Sequence, residues 1–360
     1  MEVLRITTEN PELEQWRLLS QFTYPANVFK HLQAQSFSTV DTEIVELIAG
    51  CFRQGEAFFA AASRSPLDIS PLLLYYGAAN LLAGLYALLT NSKPNITNHG
   101  MTIPNMPASR IADVQILPRS PLDGALQLFC NIFSSGCRIV NGATWTVGEV
   151  IGSLPDLKID FQDHYSDLLY HSLPVETIYT QTITTERIAN FEFDRYSNAN
   201  NLISLVPDFK KAYLPPQFKS DFIILHARQK GIPIGTHSIS GRKYLQIGHD
   251  KNGQILCPNQ LILMHMGLFA LGFLPRYRSN LWNNFVRTDT TGEKRVIEKF
   301  LFVCQRYLPH LALNFIYGKR IVFVNEMDGV IDRTRDIQKS DIKDIVRELL
   351  QDMRNEDAQR

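Results

Sequence analysis

The sequence lacks an excess of charge of either sign and lacks the common catalytic signatures. Its 360 residues contain 36 lysines and arginines against 36 aspartates and glutamates. No overall field would draw the chain to nucleic acid or to an anionic membrane, so any such affinity must come from a local patch. Neither the GxSxG motif of serine hydrolases nor a glycine-rich P-loop is present. The sequence therefore announces no reaction of its own.

Cysteine is scarce, and the five cysteines are scattered without a CxxC pair. An odd number of isolated cysteines argues against a disulfide framework and against a thiolate metal site. His99 has no second histidine, cysteine or carboxylate at the spacing of metal ligands. We therefore expect reduced, mostly buried thiols, no metal and no cofactor.

Two long apolar stretches are predicted to lie in the protein core. Residues 71–90 carry no charge, and residues 261–275 are too short to cross about 30 Å of hydrocarbon. The first stretch has Tyr75, Tyr76 and Asn80 near its middle, and no loop rich in lysine or arginine frames either stretch. The acidic N-terminus, MEVLRITTENPELEQW, does not resemble a signal peptide. We expect a cytoplasmic protein that makes no membrane contact.

The order of local patterns predicts an α+β fold. Helical periodicity dominates both ends of the chain, whereas short apolar runs separated by turn residues occupy the middle. We expect an N-terminal helical region at 1–102, a mixed β-rich region at 103–258 and a C-terminal helical region at 259–360. The two helical regions are predicted to pack together as one lobe.

Several element boundaries carry specific signals. Ser70 and Pro71 are suited to cap and begin a helix that ends near Thr90. A hairpin is predicted to turn at Lys251-Asn252-Gly253. A short helix in TWTVGEVIGSL is predicted to start with Thr144 or Thr146 as its cap. The other predicted helices span 41–63, 125–133, 259–274, 294–316 with a bend at Pro309, and a last one that Ser340 opens.

The uncharged helix carries one polar face, where Tyr76, Asn80 and Gly84 lie four residues apart. A buried asparagine without a hydrogen bond would cost about 1–3 kcal/mol. Either Asn80 clamps a neighbouring element, or Tyr76 and Asn80 line a pocket that the loop of His99 closes. His99 is itself either an ordinary loop histidine or a general acid or base.

Basic residues are concentrated in the C-terminal third. Between Arg276 and Arg320 there are nine lysines and arginines against three acids, with aromatic residues interleaved. This pattern suits phosphate contact and base stacking, for which Arg276, Arg278 and Arg295 are the candidate binding residues. The alternative is a solvated helix surface that the acidic tail partly neutralises.

Three segments taken together resemble the YaaC-like family of bacterial proteins. They are FRQGEAFFAAASRSPLDISPLLLYYGAANLLAGLYALL with a trailing HG, then TWTVGEVIGSLP, then MHMGLFALGFLPRYRSNLW followed by EKFLFVCQRYLPHLALNFIYGKRI. The resemblance follows the texture of whole segments and covers most of the chain. It implies a cytosolic prokaryotic protein of a family without an established reaction.

The paired helices with YYG and a downstream HG are also similar to HEPN-like helical domains, which serve in RNA cleavage and antiviral defence. Ribonucleases of that kind use an arginine and a histidine separated by four to six residues at a helix end. Arg242 and His249 have six residues between them but lie in a predicted hairpin, and Arg306 and His310 have three between them on a helix. The similarity therefore suggests His99, His310 and Arg306 as catalytic candidates without a full match.

Two functional interpretations remain open. The first is a binding or scaffold subunit of a prokaryotic complex, with RNA, DNA, a nucleotide or a protein as partner and antiviral defence as its setting. The alternative is a HEPN-like, metal-independent ribonuclease or toxin-type nuclease. The absence of a complete catalytic constellation slightly favours the binding subunit.

Overall fold

The computed structural model describes most of the chain and confirms the α+β class. The described residues are 2–35, 37, 39–134, 136–179, 184–189, 203–219, 222–228 and 235–325. Within them the helices are α1 Pro11–Ser20, α2 Pro25–Ala34, α3 Thr42–Ala62, α4 Ser70–Thr90, α5 Ala125–Phe133, α6 Val147–Gly152, α7 Lys158–His164, α8 Phe209–Ala212, α9 Gln260–Tyr277, α10 Ser279–Thr288 and α11 Lys294–Tyr317.

Most strands are short. They are β1 Val3–Thr7, β2 Met101–Thr102, β3 Gln115–Pro118, β4 Trp145–Thr146, β5 Ser172–Tyr179, β6 Thr184–Ala189, β7 Gln217–Phe218, β8 Phe222–His226, β9 Thr236–His237, β10 Lys243–Gln246, β11 His249–Lys251, β12 Gln254–Leu256 and β13 Arg320–Val324. The largest sheet is antiparallel, in the order β7-β8-β6-β5-β10-β9. Strands β1 and β13 pair in parallel and join the two ends of the described chain.

The uncharged helix α4 lies at the centre of the helical packing, against α3, α9 and α11. Glycine lets α3 approach it closely: a Cβ atom added at Gly77 would come within 2.8 Å of Phe59, and one at Gly84 within 2.9 Å of Cys51. Gly50 of α3, by contrast, has open space around it. The glycines of α4 therefore allow its close packing against α3.

Helix α4 is also the one helix among the described residues whose length and composition would suit a membrane span. Length and apolar composition are also typical of the central helices of globular proteins. Much of α4 is buried within the protein by α3, α9 and α11. Its surroundings are thus those of a core helix.

Two hydrophobic cores organise the described residues. The larger core contains helical side chains from both ends of the chain together with residues between Met101 and Tyr170. The smaller core, between Leu173 and Ile247, lies in the six-stranded sheet region. The N- and C-terminal helices pack together, since α4 contacts α9 and α11, while the three predicted domain boundaries stay a prediction.

A buried carboxylate fixes the start of α11 to the preceding chain. Glu293 accepts hydrogen bonds from the backbone amides of Ile111 and Ala112, both at 2.8 Å, and from the hydroxyls of Tyr165 at 2.9 Å and Thr291 at 2.7 Å. A carboxylate with no exposed surface and four donors is a structural anchor. Its geometry leaves it no role as an acid or base.

Local signals placed most helix ends correctly, with one shift of a cap. Ser70 is the first residue of α4 rather than its cap, and Ile69 occupies the cap position without a side-chain hydrogen bond. The predicted hairpin is present, with Asn252 and Gly253 both at positive φ in the turn. Helices α1, α2, α7, α8 and α10 were not predicted, and the predicted helix opened by Ser340 lies outside the described residues.

Candidate functional site

Four of the predicted site residues lie in two separate groups: His99 and Arg276 in one, Arg306 and His310 in the other. The first group surrounds the hydroxyl of Tyr75. That hydroxyl lies 2.6 Å from Nδ1 of His99, and Arg276 is close enough to act electrostatically on both groups. Burial raises the pKa of Tyr75, and partial burial together with Arg276 lowers the pKa of His99. The pair is therefore a neutral phenol hydrogen-bonded to a neutral imidazole, which ties the loop of His99 to α4.

The expected pocket of Tyr76 and Asn80 is not part of this group. The Asn80 amide donates to the backbone carbonyl of Tyr76 at 2.9 Å, and the ring of Tyr76 packs against Phe58. Tyr75, one residue earlier, is the tyrosine that meets His99. Because α4 is apolar on most of its surface, its sequence gives no periodicity that could choose between the two tyrosines.

All three expected phosphate-binding arginines have protein partners. Arg278 donates to the carbonyl oxygens of Pro104 at 2.8 Å and Met106 at 3.0 Å, which holds that loop in place. Arg295 contacts Asp160 at 2.8 Å and stays largely exposed. Arg276 bonds its own helix through the carbonyl of Gly272.

The second group lines a cavity of about 430 Å³ between the helical core and the sheet region. Helix α11 contributes a polar stripe, since Arg306, His310 and Asn314 lie at successive four-residue steps on one face. The residue after α11, Gly318, adopts positive φ, and the chain then reverses into β13, which brings Arg320 to the same cavity. Arg306 and His310 are thus the two catalytic candidates that the structure brings together.

Side chains of α11 hold β13 beside them. The side-chain oxygen Oδ1 of Asn314 accepts a hydrogen bond from the backbone amide of Ile321 at 2.8 Å. Nε2 of His310 lies 3.1 Å from the backbone carbonyl oxygen of Ile321. Nε2 must be the donor in that contact, because a carbonyl oxygen only accepts. The Nδ1 atom of His310 is consequently the acceptor of the ring.

The opposite wall is the loop from Gly235 to Gly241, which carries two serines and a histidine. The carbonyl oxygen of His237 accepts from the Gln260 amide at 2.8 Å and from the Tyr307 hydroxyl at 2.9 Å. Gly235 and Gly241 both adopt positive φ, a backbone conformation that residues other than glycine rarely adopt. The loop is therefore fastened to the helical core while its serines remain at the cavity.

Asp156 fastens the same loop from behind. Its two carboxylate oxygens lie 3.0 Å and 3.2 Å from the amide nitrogen of Ile239. Burial raises the pKa of this carboxyl to about 6, against the opposing effects of the Ile239 amide and of nearby basic side chains. Asp156 lies outside the cavity lining, but its charge acts electrostatically on two lining side chains, Arg306 and Tyr307.

The electrostatic character of the cavity comes from two arginines. Among the described residues, the lining includes Arg306, Arg320, His237 and His310 and no carboxylate. Burial, together with the nearby charge of Arg320, lowers the pKa of both histidines to about 4, so the imidazoles are neutral at pH 7. The cavity is therefore cationic through Arg306 and Arg320, and it offers neutral imidazoles that an anion would help to protonate.

Sequence reasoning missed His237, Gln260, Asn314 and Arg320. The stripe of polar side chains on α11 was a usable signal, because Arg306, His310 and Asn314 follow a helical spacing within an otherwise apolar segment. The short GTHSISG sequence between two glycines was a second signal. No sequence pattern places either signal next to Gln260 or Arg320.

The five cysteines are free thiols, of which Cys130, Cys137 and Cys304 are buried. Among the residues that the structure describes, no cluster of three or more histidine, cysteine or acidic side chains could hold a metal ion.

Comparison with known proteins supports one assignment. No curated protein and no solved structure matches the chain. A family model described as YaaC-like protein matches residues 9–316, which is most of the sequence. On this match, which agrees with the resemblance of its three segments, the chain belongs to the YaaC-like family.

Proposed function

We propose that this YaaC-like protein is a cytoplasmic binding protein whose cavity takes a small anionic ligand of the nucleotide or phosphate-ester type. The observation that carries the proposal is the cavity lining, which, in the part of the chain that the structure describes, has two arginines and two histidines and no carboxylate. Its volume of about 430 Å³ falls within the range of small-molecule sites.

The two arginines are available to a ligand. The carboxylate nearest to Arg306 is Glu12 at 3.6 Å, and both side chains are partly exposed, so this ion pair is weak. Arg320 has a long contact of 3.4 Å with the carbonyl oxygen of Gly241 and no ion pair within the described part of the chain. A guanidinium group binds phosphate through paired N–H donors, which suits both side chains to this role.

Other lining groups suit the rest of such a ligand. Tyr307, Phe315 and Phe323 provide aromatic surface for a planar ring, and Ser240 adds a hydroxyl at the loop. The Nδ1 acceptor of His310 can accept a hydrogen bond from a ligand hydroxyl or from a phosphate monoanion. The lining thus combines charge, hydrogen-bonding groups and aromatic area in one concave site.

The wider role extends the same proposal. We retain a binding or scaffold subunit of a bacterial complex, with antiviral defence as its setting and a protein or a nucleic acid as partner. Support for a long nucleic-acid surface is weaker than support for the cavity, because Arg278 and Arg295 already contact protein groups.

The test is calorimetric titration with inorganic phosphate, AMP and GMP at pH 7.5. We expect binding of at least one of them, and Arg306→Ala and Arg320→Ala should each weaken it by about 10- to 100-fold, since a charge-assisted hydrogen bond contributes about 1.5–3 kcal/mol. Arg287→Ala removes an equal charge from an exposed position outside the cavity and should change nothing. Absence of binding by all three anions would contradict the proposal.

A second candidate function rests on Arg306 and His310, which line one cavity one helical turn apart. These are the groups that a metal-independent ribonuclease would need, although three residues separate them instead of four to six. Labelled single-stranded RNA should be incubated with the protein in EDTA. Cleavage that is lost in His310→Ala and retained in His99→Ala would favour the nuclease. RNA that the parent protein does not cleave would contradict the nuclease and favour the binding protein.

A further inference from the structure

A second groove adjoins the cavity and shares one wall with it. This groove, of about 570 Å³, lies at the edge of the six-stranded sheet and is more open than the cavity. His237, Gly241 and Arg320 line both spaces. The two spaces therefore meet at the loop that ends at Gly241, and the Arg320 side chain stands between them.

The groove has its own uncompensated positive charge. Lys243 lines it, but the buried carboxylate of Glu186 binds that ammonium group. Glu176 also lines the groove, and Arg187 neutralises it in an ion pair. Arg242 is exposed, and its described contact is with the face of the Tyr244 ring, at 5.9 Å from the ring centroid.

The positive charges thus form a row across the two spaces. Arg306 belongs to the cavity alone, Arg320 to both spaces and Arg242 to the groove alone. None of these three arginines forms an ion pair with a buried carboxylate in the described ranges, and the buried Asp156 acts on Arg306 only from a longer distance. Such a row matches a ligand that is longer than one phosphate ester and carries charge at two places.

We propose that the ligand is a small molecule with two anionic groups joined by an organic spacer, of the dinucleotide type. One anionic group lies in the cavity near Arg306, the other lies in the groove near Arg242, and Arg320 contacts the connecting part. This inference rests on the proposed function, because it assigns the occupant of the same cavity and extends it into the groove.

The experiment compares AMP with the linear dinucleotide pApA by calorimetric titration at pH 7.5. We expect pApA to bind about tenfold or more tightly than AMP, because it gains a second charge-assisted contact. Arg242→Ala should abolish this advantage and leave AMP binding unchanged. Arg306→Ala should weaken both ligands, and Arg287→Ala, the matched loss of a surface charge, should weaken neither.

The outcomes separate this inference from the proposed function. Equal affinities for AMP and pApA would overturn the proposal of a ligand with two anionic groups, and so would an Arg242→Ala variant that binds pApA as tightly as the parent does. Either result would still be consistent with an anion-binding cavity. Affinity that keeps rising from pApA to a 20-nucleotide RNA would overturn it in favour of a nucleic-acid partner. Binding of no anion at all would overturn both proposals. Thermal unfolding of Arg242→Ala should match the parent, since the side chain is exposed.

Discussion

Replacement of His265 by phenylalanine should stabilise this protein, and more so in acid. His265 lies in the middle of α9 with no exposed surface, stacked on Tyr75 with ring centroids 5.4 Å apart. The edge of Phe129 meets it at 5.6 Å. Neither ring nitrogen of His265 has a hydrogen-bond partner among the described residues. The imidazole is therefore a polar ring in an apolar, aromatic setting.

Burial, with a smaller contribution from His99, lowers the pKa of His265 from 6.5 to about 3. A group whose pKa falls on folding contributes stability above its unfolded pKa and loses it as the pH falls through 6.5 towards 3. At pH 5 the unfolded chain has protonated this histidine and the folded chain has not, which costs about 2 kcal/mol relative to pH 7.5. The unpaired ring nitrogens add about 1 kcal/mol at either pH.

Urea unfolding at pH 7.5 and pH 5.0 measures this difference. His265→Phe should raise the free energy of unfolding by about 1 kcal/mol at pH 7.5 and by about 3 kcal/mol at pH 5.0. The phenyl ring is slightly larger than imidazole, and the resulting strain lowers the free energy of unfolding equally at both pH values. The decisive quantity is therefore the difference between the stabilisation at pH 5.0 and that at pH 7.5. Met264→Leu, a buried neighbour of similar volume, should keep the pH response of the parent. An unchanged pH response in His265→Phe would refute the reasoning.

Three further predictions concern packing, the buried anchor and the loop. Gly77→Ala should destabilise the protein by about 1–3 kcal/mol because it pushes α3 from α4, whereas Gly50→Ala, with open space around it, should stabilise by about 0.5–1 kcal/mol in thermal or urea unfolding. Glu293→Gln should cost about 2–3 kcal/mol, because one of its oxygens becomes a donor that faces donors, and the exposed Glu298→Gln should cost under 0.5 kcal/mol. Asp156 has its pKa raised to about 6, so the parent should lose stability as the pH rises from 4 to 6, and Asp156→Asn should flatten that window and add about 2 kcal/mol at pH 7. A Gly77→Ala protein as stable as the parent, a neutral Glu293→Gln, or an unchanged pH slope in Asp156→Asn would each contradict its prediction.

Three of the helices that the sequence predicted well have capping side chains at their N-terminal ends. Asp41 caps α3 through the amide of Glu43, Asn259 caps α9 through the amide of Ile262, and Thr146 forms a capping box with Glu149. Such contacts span three residues or fewer, so the sequence contains both partners. Local caps do not decide every case: α2 has no side-chain hydrogen bond at its cap position, Tyr24, whereas α1 was missed although Asn10 caps it through the amide of Leu13.

The candidate site was harder to predict because its parts come from distant segments. Gln260 and His237 are joined by a hydrogen bond across 23 positions, and Tyr307 reaches His237 across 70. Arg320 belongs to β13, whose place is set by parallel pairing with β1 at the other end of the chain. No local pattern encodes such neighbours, and a chain without net charge gives no field that would reveal them.

The charge excess of the C-terminal third takes on a different meaning once partners are assigned. By count, nine basic residues between Arg276 and Arg320 indicate a surface for a polyanion. Protein oxygens already engage Arg278 and Arg295, and the charge that remains at the cavity belongs to Arg306 and Arg320. A charge on a concave wall acts over a short distance and with less screening than one on an open surface. The same residues that suggest a nucleic-acid surface by count therefore favour, by position, a small anion held in a cavity.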